Sequence, residues 1–215
     1  ANACKAEGVQ PIIGALLGVA RPSRDEGAEG KLVDYLPLFA QDEAGYDNLC
    51  HLVSKAHLER PLEFEPHVRI GDLDGRTDGL IAFTGASEGA VTRLLAEGQQ
   101  SHAEALLDRL QALFPDRLYI ELARRGDPTE ERAEAALVDL AYARDLPLVA
   151  TNPANFAEPH MHKAHDAMLC IAGSTHVDAE ERARSNPESY VKTYHMMEEA
   201  FADLPEAVQN TVVVA

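Results

Sequence analysis

The residues whose types and spacing could perform chemistry lie close together in one short stretch of the chain. His160, His162, His165 and Asp166 fall within a single turn-rich segment. Imidazole nitrogens and carboxylate oxygens bind catalytic metals, and an H-x-H spacing can place two imidazoles on one side of an extended segment. With Glu121 as a further carboxylate, this set predicts one alternative function, a metal-dependent phosphoesterase or exonuclease.

The same histidines also fit an ordinary solvent-exposed loop. Glu158-Pro159 precedes them, and Pro together with charged residues is typical of loops. Asp166 would lie near the start of a helix, where a carboxylate is stabilised by the helix dipole. A spaced pair of histidines without a placed acid is weak evidence for a metal site. We therefore favour the loop interpretation and keep the metal site as the alternative.

Two further polar features lie at the ends of predicted strands. Glu121 is followed by Arg124 and Arg125, and we interpret the glutamate as paired with one of these arginines. The segment Thr84–Gly89 could cradle a phosphate through its backbone N–H groups. It lacks the Lys and Ser/Thr of a P-loop, so we interpret it as a tight turn between a strand and a helix. No G-x-S-x-G motif indicates a serine hydrolase.

Apolar runs alternate with segments of helical periodicity, and these elements must position the polar residues. Strands are predicted over 11–19, 33–40, 80–84, 118–122 and 148–151. Helices are predicted over 43–58, 91–97, 102–114, 128–144, 162–172, 187–194, 196–202 and 205–213. Repeated alternation of strand and helix predicts an α/β protein with a parallel sheet or barrel.

Composition narrows the function classes. The 215 residues carry a formal net charge of −17, so we do not expect the chain to bind nucleic acid well on its own. Three cysteines without C-x-x-C spacing argue against a disulfide framework and predict a cytoplasmic protein. No apolar run approaches the roughly 20 residues needed to span a bilayer, so we expect no membrane partner.

Several segments carry a family resemblance. They are 3–14 (ACKAEGVQPIIG), 43–57 (EAGYDNLCHLVSKAH), 78–85 (DGLIAFTG), 114–122 (FPDRLYIEL), 148–152 (LVATN), 165–171 (HDAMLCI) and 201–211 (FADLPEAVQNT). In this order they resemble the amino-terminal PHP (polymerase and histidinol phosphatase) domain of bacterial replicative DNA polymerase III alpha subunits. The matches run across nearly the whole chain.

The resemblance implies a particular architecture. Residues 1–160 would form an incomplete, distorted (β/α)7-type barrel of PHP type that lacks the family's opening strands. Residues 161–215 would form a helical C-terminal part leading toward the polymerase module. A barrel without its opening strands exposes sheet edges, so we expect self-association of the isolated chain.

The resemblance also implies a degenerate metal site. Active members of the family hold a metal cluster, with Glu, His, Asp and His commonly standing where this chain has Leu16, Tyr35, Pro153 and Asn155. Leucine cannot bind a metal, proline offers only its carbonyl, and asparagine and tyrosine are weak ligands beside carboxylate and imidazole. We therefore expect no metal and no catalytic residue in this chain.

The function implied by the resemblance is DNA replication. The chain would be a fragment of an alpha subunit, with a structural, catalytically inactive PHP domain that scaffolds the proofreading exonuclease subunit and the polymerase module. The parent polymerase would use Mg²⁺ and would contact DNA through its other parts. A binding module with no polymerase parent is a further alternative.

Overall fold

One mixed sheet organises the protein. The computed structural model describes residues 2–21 and 32–215. Five strands lie in the order β1-β2-β3-β4-β5. They are β1 (Gly14–Ala20), β2 (Val33–Ala40), β3 (Leu80–Phe83), β4 (Leu118–Leu122) and β5 (Leu148–Ala150).

Strand direction corrects the expectation of a parallel sheet. The pairs β1–β2 and β2–β3 are antiparallel, whereas β3–β4 and β4–β5 are parallel. In β2, Asp34, Leu36 and Leu38 are buried and alternate with half-buried residues, which is typical of an antiparallel strand. Among the described residues the sheet is open, so the protein is α/β but a closed barrel is not confirmed.

Helices follow most strands, close to their predicted positions. They are α1 (Asn2–Ala6), α2 (Glu43–Leu58), α3 (Ala90–Ala96), α4 (Gln100–Leu113), α5 (Pro128–Ala143), α6 (His162–Ala172), α7 (Tyr194–Ala200) and α8 (Pro205–Val214). Asp42 accepts a hydrogen bond from the Gly45 backbone at the start of α2, and Asp127 does the same for Thr129 at the start of α5. These caps satisfy backbone donors that would otherwise lack a partner.

One predicted helix is wrong. Residues 187–193 form a turn and an extended segment, and Tyr190 makes an isolated bridge with Phe156. The Ser189 carbonyl accepts hydrogen bonds from the backbone N–H groups of Asn155 and Phe156. Because these bonds come from a distant segment, they replace the local i to i−4 bonds that a helix needs.

Buried residues of the sheet and of the helices together form the main core. The buried residues of this core include Leu17, Leu38, Leu52, Leu107, Leu118, Leu137, Phe114, Phe201 and Leu204. A smaller cluster of Ile81, Phe83 and Val149 lies apart from it, with Val214 of α8 packed against them. Since Phe201 and Leu204 share the main core, the C-terminal helices pack with the sheet, and a boundary after residue 160 stays a prediction.

None of the helices in residues 2–21 and 32–215 is both long and apolar enough to cross a membrane.

Candidate functional site

The carboxyl ends of the parallel strands meet at one edge of the sheet, which we call the mouth. Gly85 follows β3, Glu121 and Arg125 lie at the end of β4, and Thr151 and Asn152 follow β5. Open α/β sheets bind their ligands at this edge. The mouth is therefore the first place to look for chemistry in this fold.

Glu121 is a buried carboxyl group in the mouth. It is 5% exposed, and its Oε1 accepts a 2.5 Å hydrogen bond from the Thr151 hydroxyl. Its Oε2 is buried and has no hydrogen-bond partner. Burial raises the pKa of Glu121, although the hydrogen bond from Thr151 and the positive charge of Arg125 oppose that shift. The protonated form is thus favoured relative to a carboxylate in water.

The two arginines beyond β4 have other partners, which corrects the interpretation that Glu121 pairs with one of them. Arg125 Nε donates to Glu130 Oε1 at 3.1 Å, and both side chains are largely buried. Arg124 donates to Glu134 and Asp203, at 2.6 Å in each case. Glu130 lies in the first turn of α5. The carboxylate partner of Arg125 is therefore Glu130 and not Glu121.

Residues 182–192 cross the mouth, and we call this segment the strap. Asn186 Nδ2 donates to the Arg125 carbonyl at 3.1 Å. The backbone N–H of Lys192 donates to Asn152 Oδ1 at 2.8 Å. The Ser189 carbonyl accepts from the backbone of Asn155, also at 2.8 Å. The strap therefore occupies hydrogen-bonding positions beside the ends of β4 and β5.

Helix α6 holds the strap through most of the candidate ligands. Asp166 forms a bidentate ion pair with Arg182, at 2.8 and 2.7 Å. Its Oδ1 also accepts a hydrogen bond from the Ser185 backbone N–H at 2.9 Å. His162 Nε2 lies 3.0 Å from the Ser185 carbonyl, and His165 Nδ1 lies 2.7 Å from the Ser185 hydroxyl. The Arg182 guanidinium and the Ser185 N–H hold the pKa of Asp166 well below its usual range.

His160 lies away from this arrangement. It is exposed, and its Nδ1 is 3.1 Å from Glu158 Oε2. Across the described residues, no group of three or more His, Cys, Asp or Glu side chains is arranged to hold a metal ion. The observed contacts of His162, His165 and Asp166 tie the strap to α6, so this geometry does not support the metal-site alternative.

The four positions that the resemblance marks as degenerate have surroundings unlike those of a metal cluster. Leu16 is 54% exposed on β1. Tyr35 donates its hydroxyl to Glu65 at 2.6 Å, and this bond with burial and nearby acids raises the tyrosine pKa to about 12. Pro153 offers no side-chain donor, and Asn155 is exposed. Such residues do not fit a multi-metal site.

The Thr84–Gly89 segment has the geometry of a close-packed turn. Gly85 has φ +79°, and a Cβ at Gly89 would come within 2.2 Å of the Thr84 carbonyl oxygen. The Thr92 hydroxyl donates to the Gly85 carbonyl at 2.8 Å and closes the turn. The two glycines are thus explained by backbone packing.

Sequence reasoning did not find Arg182, Ser185 or Glu130. Arg182 and Ser185 contact Asp166 and His165, which lie 16 and 20 residues earlier in the chain. Glu130 of α5 contacts Arg125, which lies just before that helix. The helix predicted over 128–144 did place Glu130 near a helix start, which is the local clue.

Comparison with known proteins identifies the class of domain. Residues 1–125, more than half of the chain, match the family described as the PHP domain. The chain therefore belongs to the PHP domain family.

The relatives are of one kind. The chain is similar to the N-terminal portion of DNA polymerase III subunit alpha from Caulobacter vibrioides, with 41% identity over 211 residues, which cover 98% of this chain and 18% of that protein. Identity is 36% over 209 residues for the Pseudomonas aeruginosa protein and 34% over 209 residues for the Escherichia coli protein, each covering 97% of this chain. The chain spans less than a fifth of the length of these relatives.

Proposed function

We propose that this chain is the N-terminal part of a bacterial DNA polymerase III alpha subunit and acts in DNA replication. The observation that carries the proposal is the similarity to alpha subunits along 97–98% of the chain. DNA synthesis, with its Mg²⁺ requirement, would belong to the rest of that longer protein. With a net charge of −17, this part is suited to protein partners rather than to DNA.

We further propose that its PHP domain is catalytically silent and structural. Three features of the mouth support this. The only buried carboxyl on β4, Glu121, has a raised pKa and one hydroxyl partner. Arg125 carries a fixed positive charge beside it and is bound to Glu130. The strap forms hydrogen bonds with backbone and side-chain groups at the strand ends, and it thereby occupies the place where a substrate would bind.

Metal analysis combined with a phosphoesterase assay tests the silent domain. We expect zinc and manganese well below one equivalent after purification, and no metal-dependent hydrolysis of a phosphomonoester or of a DNA 3′ end. Glu121→Gln is the control, because hydrolysis that survives this change unaltered comes from a contaminant. Stoichiometric metal with turnover that depends on Glu121 would overturn the proposal.

The structural role requires partners, and we propose the proofreading exonuclease subunit and the polymerase module. The test is binding of the chain to the purified exonuclease subunit of the same organism, measured by calorimetry. Saturable binding at one site supports the role. Failure to bind, with both proteins folded, would remove the exonuclease from the proposal but would leave the parentage intact.

A further inference from the structure

A small cavity lies between the end of β4, helix α3 and the first half of α5, and we call it the acid cavity. Its volume is about 10 Å³, which is roughly the space that one water molecule needs. Its polar lining residues are Thr92, Glu121, Glu130 and Glu134, and alanines and leucines complete the wall. A buried cavity with three carboxyl groups in its wall calls for a physical reason, because buried carboxyl groups must be satisfied.

Glu121 brings an unsatisfied oxygen to this cavity. The residue is more than nine-tenths buried, and its Oε1 accepts the Thr151 hydroxyl at the end of β5. Oε2 is also buried, and it has no hydrogen-bond partner among the described residues. Since Oε1 is directed toward Thr151, Oε2 is the oxygen left to face the cavity. A group that donates a hydrogen bond to Oε2 would remove the cost of leaving it unpaired.

The other polar side chains of the wall do not supply that donor. Thr92 has one hydroxyl hydrogen, and it donates this hydrogen to the Gly85 carbonyl at 2.8 Å. Glu130 and Glu134 accept hydrogen bonds from arginines and, as ionised carboxylates, have no hydrogen to donate. The side chains of the wall therefore offer acceptors to the cavity, and a ligand that fits must bring its own donors.

Arg125 lies beside the cavity but is bonded to other groups. Its Nη2 donates to the Ser87 hydroxyl at 3.0 Å, and its Nε donates to Glu130 at 3.1 Å. Burial raises the pKa of Glu121, and the charge of Arg125 and the Gly85 backbone N–H only oppose that rise. Neither of them forms a hydrogen bond with Oε2. The carboxyl group thus has charged surroundings and still lacks a donor on the cavity side.

A cation is the competing ligand for a wall of carboxyl groups. Glu130 and Glu134 already form ion pairs with Arg125 and Arg124, at 2.5 and 2.6 Å. The two guanidinium charges would repel a further cation at this short range. Across the described residues, no group of three acidic or other metal-binding side chains is arranged to hold a metal ion. A neutral donor therefore fits the acid cavity better than a cation does.

We propose that the acid cavity binds one water molecule, which joins Glu121 of β4 to Thr92 of α3 and Glu130 of α5. Water is neutral, fits the volume and brings two hydrogens to a wall of acceptors. When Glu121 is protonated, its O–H donates to the water, which then donates to the other two residues. The water makes about three hydrogen bonds in this way, which is typical of buried water. This inference does not depend on the proposed function.

A high-resolution crystal structure of the full chain tests the proposal directly. We expect one water oxygen in the acid cavity, about 2.5–3.0 Å from Glu121 Oε2. Three results would overturn the proposal. They are a cavity without electron density, a side chain that moves in to donate to Oε2, and a cation, which several oxygens at about 2.0–2.6 Å would identify.

Magnetic relaxation dispersion of water nuclei gives a second readout, because it counts the long-lived internal waters of a protein in solution. Glu121→Met removes both carboxyl oxygens and keeps a side chain of similar length, so we expect the loss of one such water. Glu63→Met is the matched control, since it makes the same change at an exposed position and should leave the count unaltered. An equal count in the parent chain and in folded Glu121→Met would overturn the proposal. If Glu121→Met does not fold, the crystal structure of the parent chain still decides.

Discussion

Thr151 donates its hydroxyl to Glu121 Oε1 at 2.5 Å and thereby joins the ends of β5 and β4 inside the mouth. This bond satisfies only half of the carboxyl group, because Oε2 is buried without a partner. Burial of a carboxyl in this state raises its pKa above the ordinary value. The pair therefore makes the stability of the mouth depend on pH.

Replacing Glu121 by Gln should remove a pH-dependent loss of stability. The pKa of Glu121 is raised above its ordinary value of 4.5, so its favourable contribution is complete below that value and is lost as pH rises toward the folded-state pKa. Across this window the parent chain should lose up to about 1.4 kcal/mol per pH unit relative to Glu121→Gln. Urea unfolding from pH 4 to 8 measures the difference. Parallel pH profiles for the two proteins would contradict the burial argument.

Asp34 joins β2 to α3 through a buried ion pair. Its two oxygens accept from Arg93 at 2.8 and 2.9 Å, and Arg21 Nε lies 2.9 Å away. Asp34→Ala removes the buried carboxylate that two partly buried arginines share, although Arg93 keeps Glu97, and should lower the free energy of unfolding by about 1–3 kcal/mol. Asp74→Ala, which breaks the exposed pair with Arg109, should cost about 0–1 kcal/mol. Equal losses measured by urea unfolding would count against this assignment.

Asp166 should control how firmly the strap is held. Asp166→Asn weakens the ion pair with Arg182, so we expect several-fold faster amide exchange and proteolysis within residues 173–193. The pKa of Asp166 is lowered, so its contribution is present above the unfolded-state pKa and is lost only as pH falls through the folded-state pKa. The effect should be constant from roughly pH 5 to 8. His160→Gln is the control, and unchanged exchange in Asp166→Asn would refute the role.

The β1 edge should promote self-association of the isolated chain. Leu16 is exposed on this edge strand, and Ile12 and Ile13 are exposed just before it. Leu16→Lys places a charge on the edge, which opposes strand pairing between copies. We expect a lower sedimentation coefficient at high concentration for Leu16→Lys and no change for Leu62→Lys, whose side chain is 90% exposed elsewhere. A parent chain that stays monomeric at high concentration would exclude the association.

Local signals in the sequence were sufficient for most elements. The bounds of β2, α2, β4 and α6 agree with their predicted positions, because apolar spacing and caps act over a few residues. The predicted helix over 187–194 failed for the opposite reason. Its backbone groups pair with residues near Phe156, and no local pattern reports a partner that distant.

The candidate site follows the same division. His162, His165 and Asp166 stood out as polar residues in a suggestive spacing, but their partner, Ser185, lies about 20 residues further along the chain. The spacing was compatible with a metal site and with a structural tie. Only the position of the strap distinguishes them, because it brings Ser185 and Arg182 onto α6.

The amino-acid sequence by itself determined the family, the acidic character and the order of strands and helices, since these depend on composition and on short-range periodicity. The tertiary structure decided which strands run antiparallel, that Glu121 has a hydroxyl rather than an arginine for a partner, and that the strap crosses the mouth. Each of these depends on which distant groups meet in space, and that is set by the packing of the whole core.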